Sequence, residues 1–491
     1  MINDLWYKNA IIYCLAVGTY MDADGDGVGD FKGLLRRLDY LQGLGISAIW
    51  LMPFQVSPHR DDGYDIADYY SVDPRYGTLG DFVEFAHGAK QRGIRVIIDL
   101  VVNHTSDAHP WFKQARRDPK SKYRDWYVWS KSKPRGANRG VVFPGVQKST
   151  WTHDKKAAAW YFHRFYDFQP DLNTSNPLVQ AEILKIMGFW IQLGVSGFRM
   201  DAVPFVIATK GAKVKKPVEQ YDMLRAFREF LQWREGDAII LAEANVLPET
   251  DMEYFGDDGD RMHMMFNFHV NQHLFHALAA ADTRPLAKAL AATKPRPATA
   301  QWGLFLRNHD ELDLGRLTKA QRDAVFKAFG PDKEMQLYDR GIRRRLAPML
   351  GGDRRRLELA YSLMFTLPGT PVLRYGDEIG MGDDLELRPR GEGLVFSPLL
   401  RFPARPQHVQ SGGAGRDPEN HGLLDSAGRV RLPHGCRPVR DRHQGRECRQ
   451  AARAVRHAAA FSRVPAVARG RGDRARRGER AAADRPRIFR R

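Results

Sequence analysis

No stretch of the chain approaches the roughly 18 consecutive apolar residues that a bilayer-spanning helix needs. The opening MINDLWYKNA also has no basic segment followed by an apolar one of the kind a secretory leader carries. A cytoplasmic protein with no membrane partner is therefore expected. Cysteine is scarce: Cys14, Cys436 and Cys448 are the only three in 491 residues. That number excludes a disulfide framework and the spacing fits no zinc pattern, so free reduced thiols are expected. Apolar residues at 43% and charged residues at 27% exclude a chain too polar to build a core.

Charge of one sign is scarce in one place only. The formal net charge is +18, but residues 388–491 hold 25 Arg, no Lys and nine acidic residues, which leaves residues 1–387 at only +2. That last segment also lacks Tyr, Trp, Met and Thr and shows neither a 2.0 nor a 3.6 periodicity. It reads as an Arg-rich atypical tail, disordered or out of frame, because Arg, Ala, Gly and Pro share GC-rich codons. The other reading is a genuine basic extension that binds nucleic acid or anionic lipid.

Residues 1–387 alternate apolar runs with helical patterns. Strands are expected in 10–17, 48–53, 95–102, 197–203, 238–245, 262–268, 302–310 and 371–380, and helices among them in 31–45, 81–93, 178–194 and 219–233. Eight strands, each but the last followed by helical sequence, point to an α/β fold of the (β/α)8 TIM-barrel class, not an open sheet. Residues 1–103 and 171–387 would form the barrel. The Pro-, Gly- and aromatic-rich stretch 104–170 would be a small domain inserted after the third strand.

Barrel enzymes place their chemistry at the C-terminal ends of the strands. Asp201, Glu243 and Asp310 end the fourth, fifth and seventh runs. Cleavage of a glycoside with retention needs one carboxylate to attack and a second, protonated, to donate, about 5 Å apart. Neighbouring strands lie ~4.8 Å apart, so Asp201 and Glu243 meet that spacing. Arg199, two residues before Asp201, shares its face and is expected to keep it ionised. His104 and His309 adjoin strand ends, where they could donate to sugar hydroxyls.

In order and spacing, DLVVNHT (99–105), GFRMDAV (197–203), LAEAN (241–245) and FLRNHDEL (305–312) resemble the signature regions of the α-amylase family of glycoside hydrolases. The likeness runs through DADGDGVGDF, RDDGYDIADY, FQPDLN, GIRRRLAPML and GDEIGMGDD, and these additions look like the trehalose synthases, which interconvert maltose and trehalose. It implies that Asp201 is the nucleophile, Glu243 the acid/base and Asp310 the transition-state stabiliser. Asp65, His104, Gln169, Arg199 and His309 would hold the glucosyl ring, with Tyr64 beneath it. It also implies a C-terminal β-sandwich, which residues 388–491 do not resemble.

The loop Asp22-x-Asp24-x-Asp26-Gly-Val28-x-Asp30 spaces oxygen ligands as calcium requires, and the resemblance favours a structural Ca2+ there. A second family site would use Asn103, Asp171 and the carbonyls of Phe205 and Val206, although Ala208 stands where the trehalose synthases have a glutamate. No organic cofactor is implied. The expected function is retaining maltose–trehalose isomerisation on small α-glucosides, with hydrolysis of maltose, sucrose or short α-glucans as the alternative. The complete catalytic set argues against a pure nucleic-acid-binding role. Oligomeric state is left open.

Overall fold

A computed structural model describes residues 3–293 and 295–383. The tail assigned to 388–491, with Cys436 and Cys448, lies outside the described residues. All eight expected runs become parallel strands: Ile12–Leu15, Ala48–Leu51, Arg95–Leu100, Gly197–Met200, Ile239–Ala242, Met264–Phe266, Gln301–Phe305 and Thr370–Arg374. They pair in sequence order, and the first strand also pairs with the eighth (Ile12 beside Val372), so the sheet closes into a barrel.

Closure explains why these runs are apolar on both faces. Inside the barrel Ile12, Trp50, Ile97, Leu241, Phe266 and Val372 fill the axis. Outward-facing neighbours such as Tyr13, Ile49 and Ile98 join a larger core beneath the helices, where Phe54, Phe82 and Trp190 interlock at ring-centroid distances of 5.2–5.3 Å. Helix starts follow local chemistry. Thr78 and Asp81 form a capping box for Leu79–Gln91, and Asn176 caps Pro177–Gln192 with proline in its first turn. The helix expected over 31–45 is instead two, Phe31–Arg36 and Leu38–Leu44, divided at Arg37 (ψ 1°). Among the described residues no helix is long and apolar enough to cross a membrane.

Three excursions rise from the C-terminal rim. A hairpin of Gln55–Val56 and Asp68–Val72 follows the second strand. The 104–170 segment carries the helix Pro110–Arg117 and a three-stranded sheet (Trp129–Ser130, Ala159–Phe162, Trp151–Asp154). After the seventh strand, a small sheet of Leu312–Asp313, Gly341–Ile342 and Gln336–Leu337 brackets the helix Lys319–Phe329. The third excursion was not anticipated from the sequence.

Candidate active site

Register sets the centre of the site. Arg199 on the fourth strand lies beside Asp99 on the third and Leu241 on the fifth. Its guanidinium, 1% exposed, reaches Asp99 Oδ1 at 2.6 Å, Asp201 Oδ1 at 2.7 Å and Glu243 Oε2 at 2.8 Å. One cation thus gathers the carboxylates that follow the fourth and fifth strands. Ala202, held in the left-handed region (φ 45°), turns its N–H onto Glu243 Oε2 at 3.0 Å. A non-glycine residue in that conformation next to two carboxylates is strain placed where function concentrates.

Arg199 favours the ionised form of Asp201, as expected from the sequence, and works against the burial of that carboxyl. Burial raises the Asp201 carboxyl well above the usual range; Arg199 opposes, but Glu243, Asp99 and Asp310 add to the rise. Three carboxylates share one cation, so they titrate as a coupled group. Asp99, bound also by Trp50 Nε1 at 2.8 Å, is raised to about 6, mainly by burial.

Around this centre stand the other residues read from the sequence. The Tyr64 hydroxyl bonds His309 Nε2 at 2.7 Å, and the two rings lie parallel (4°) at 5.4 Å. His309 Nε2 also sits 3.4 Å from Asp310 Oδ2, whose side chain is 42% exposed. The other ring nitrogen, Nδ1, is buried without a hydrogen-bond partner among the described residues. The His104 ring meets the Tyr64 carbonyl through Nε2 at 3.1 Å, and burial lowers its pKa to about 4.

Asp65 is tied to its own loop. It is fully buried, and its carboxylate accepts from the Ser57 hydroxyl at 2.8 Å and from the N–H groups of Asp61 and Arg60 at 3.2 and 3.3 Å. Those bonds occupy the Asp65 carboxylate and hold the 57–61 turn. The carboxylate beside Gln169 is Asp61, which accepts from Gln169 Nε2 at 2.7 Å and, withdrawn from water, is raised to about 7. Asp61 is thus joined to Gln169, a residue read from the sequence as holding the ring, and the sequence reading did not name Asp61.

The second calcium site is also corrected. Lys210 Nζ lies 2.7 Å from Asn103 Oδ1, 3.2 Å from Asn103 O, 3.1 Å from Leu172 O and 2.9 Å from Asp171 Oδ2, with its side chain only 4% exposed. The Val206 carbonyl accepts from the Thr174 hydroxyl at 2.6 Å. An ammonium therefore stands among the oxygens expected to bind calcium with Phe205 and Val206, and these residues do not fit a divalent ion. The Asp22–Asp30 loop fits better. Asp22, Asp24 and Asp30 each offer an oxygen within 4.8 Å of one another, while Asp26 stays outside that group. Gly25 and Gly27 (φ 84° and 89°) turn the loop so that their N–H groups bond Asp22, holding its carboxyl below the usual range.

The description "Alpha amylase, catalytic domain" matches residues 17–329. The chain is 49% identical over 385 residues to a trehalose synthase of Thermus thermophilus, covering 78% of this chain and 39% of that one. It is 46% identical over 388 residues to the trehalose synthase/amylase TreS of Mycobacterium tuberculosis, covering 78% and 64%. The chain thus spans less than two thirds of the length of either relative. The crystal structure of an alpha-amylase from H. orenii superposes with a TM-score of 0.62 at 31% identity, over 77% of this chain and 71% of that one. With eight strands closed in sequence order and Asp201, Glu243 and Asp310 on one rim, the chain belongs to the alpha-amylase family through its catalytic domain.

Proposed function

We propose that the protein is a trehalose synthase-like isomerase that interconverts maltose and trehalose by double displacement. The observation that carries the reading is Arg199, which holds Asp201 and Glu243 together at the mouth of the barrel. Asp201 attacks the anomeric carbon of the non-reducing glucose while Glu243 donates a proton to the departing oxygen. A β-glucosyl ester on Asp201 and a free glucose result. The anomeric hydroxyl of that glucose then attacks the anomeric carbon of the esterified glucosyl unit, the bond from that carbon to Asp201 breaks, and the hydroxyl proton passes to Glu243. Asp310 stabilises the positive charge that develops on the ring.

Tyr64, His104, Gln169, His309 and Asp61 hold the glucosyl ring, Asp61 taking the place expected of Asp65. The unpartnered His309 Nδ1 remains in reserve for a hydroxyl. Calcium would be held by Asp22, Asp24 and Asp30 with the Val28 carbonyl, as a structural ion remote from the chemistry. Product analysis on maltose tests the reading. Trehalose as the main product supports it, whereas glucose alone replaces it with hydrolysis. Asp201→Ala is expected to lose at least about a thousandfold in turnover of maltose and of p-nitrophenyl α-glucoside, because no other group supplies the ester.

A further inference from the structure

Isomerisation and hydrolysis share their first step and differ in what attacks the ester, so the decisive feature is whatever keeps glucose in and water out. Between the 104–170 segment and the sheet that follows the seventh strand, three rings meet. Phe143 packs against Tyr166 and Tyr338, each at 4.9 Å between centroids. Tyr166 continues the row by stacking on Phe168 at 5.1 Å, and Phe168 lies 4.3 Å under the Arg60 guanidinium next to Asp61. A side-chain hydrogen bond runs alongside, from Arg340 Nη1 to the Val142 carbonyl at 3.0 Å.

Two further features tie the row to the site. Tyr338 and Asp339 both occupy the left-handed region (φ 55° and 56°), a costly conformation for non-glycine residues that the 336–342 turn sustains. The Tyr166 N–H donates to Gln169 Oε1 at 3.2 Å, and Gln169 in turn bonds Asp61, while Phe143 meets Phe165 at 5.9 Å and Phe165 meets His104 at 5.3 Å. The rings therefore border Gln169 and His104, and they join two excursions that are far apart in sequence.

On the reading that the site forms a glucosyl ester, we propose that Phe143, Tyr166 and Tyr338 form a wall that retains glucose beside the ester and so sets the partition between transfer and hydrolysis. The rings touch no reacting atom. Their contribution is specificity: with the wall in place the anomeric carbon of the glucosyl ester is attacked by a sugar hydroxyl, and without it by water, its bond to Asp201 breaking and the proton passing to Glu243 in either case.

The test uses the 491-residue chain, p-nitrophenyl α-glucoside as donor and added glucose as acceptor. Release of p-nitrophenol reports the first step, and the ratio of disaccharide to extra glucose reports the partition. Phe143→Ala and Tyr338→Ala are expected to lower that ratio about tenfold, a change of about 1.4 kcal/mol in relative barrier, with p-nitrophenol release within about threefold of the unsubstituted chain. Tyr338→Phe, which keeps the ring, is expected to retain most of the transfer.

An unchanged ratio in both alanine variants overturns the proposal, as does a lack of any disaccharide from the unsubstituted chain. A proportional fall of both readouts in every variant, Tyr338→Phe included, also overturns it, because that pattern marks a structural role. The maltose reaction separates this idea from the reading beneath it. A chain that gives only glucose from maltose, yet transfers to added glucose through an intact wall, defeats the isomerase reading and leaves the wall standing.

Discussion

At the scale of single residues, Asp61 and Asp65 show how chemistry divides between neighbours. Both are withdrawn from water, but Asp65 spends its oxygens on the 57–61 turn while Asp61 meets Gln169. Asp61→Asn is therefore expected to raise KM for maltose about tenfold or more, since a ring-holding acceptor becomes a partial donor, with unfolding stability little changed. Asp65→Asn should instead lower stability by about 1–3 kcal/mol through lost bonds to buried N–H groups. Steady-state kinetics alongside urea melts of both variants checks the division, and a reversed pattern returns Asp65 to the site. The segment RDDGYD offers three carboxylates within five residues, and its spacing does not reveal which one turns into the loop. Asp201, Glu243 and Asp310 were legible because each ends an apolar run whose direction fixes the rim.

At the scale of elements, the barrel strands were legible because closed parallel strands are buried on both faces and read as unbroken apolar runs. The sheet after the seventh strand was not, because its strands are two residues each and leave no periodic trace. Helix ends carry their own chemistry. His109, buried at the start of Pro110–Arg117, accepts the Trp111 N–H through Nδ1 at 3.1 Å, which requires an unprotonated nitrogen. Burial accordingly lowers its pKa to about 3, against an ordinary 6.5. The unfolded chain then binds the proton first, so the stability His109 contributes is complete above pH 6.5 and is lost as pH falls towards 3. His109→Gln should flatten that acid-side loss in melts at a series of pH values; identical slopes with and without the histidine would refute it. The Asp22–Asp30 loop gives a second element-level test. Millimolar calcium is expected to raise the Tm relative to chelator, by about 2.7 kcal/mol of stability at a hundredfold excess over Kd, and Asp22→Asn should abolish the rise.

At the scale of the whole molecule, what matters is how the 104–170 segment is fastened to the barrel. Lys210 joins Asn103 after the third strand, Asp171 and Leu172 at the segment's exit, and its own connection after the fourth strand. Lys210→Met should cost about 3–5 kcal/mol, because it leaves Asp171 as an unpaired buried charge. In an Asp22→Asn background, with the loop site disabled, calcium is expected to leave the Tm unmoved, and a calcium-dependent rise there would restore the second metal site. The sequence pointed to the oxygens of this junction but not to the cation among them, since Lys210 lies 39 positions from Asp171 and follows no ligand spacing. A diffusible ion occupies such a place only as far as its concentration in the surroundings permits. A side chain is delivered there by folding itself, at an effective concentration fixed by its tether, so dilution, chelation or a change of compartment does not empty it. The junction beside the catalytic rim is in this sense self-sufficient: its integrity is inherited with the polypeptide and does not depend on the medium.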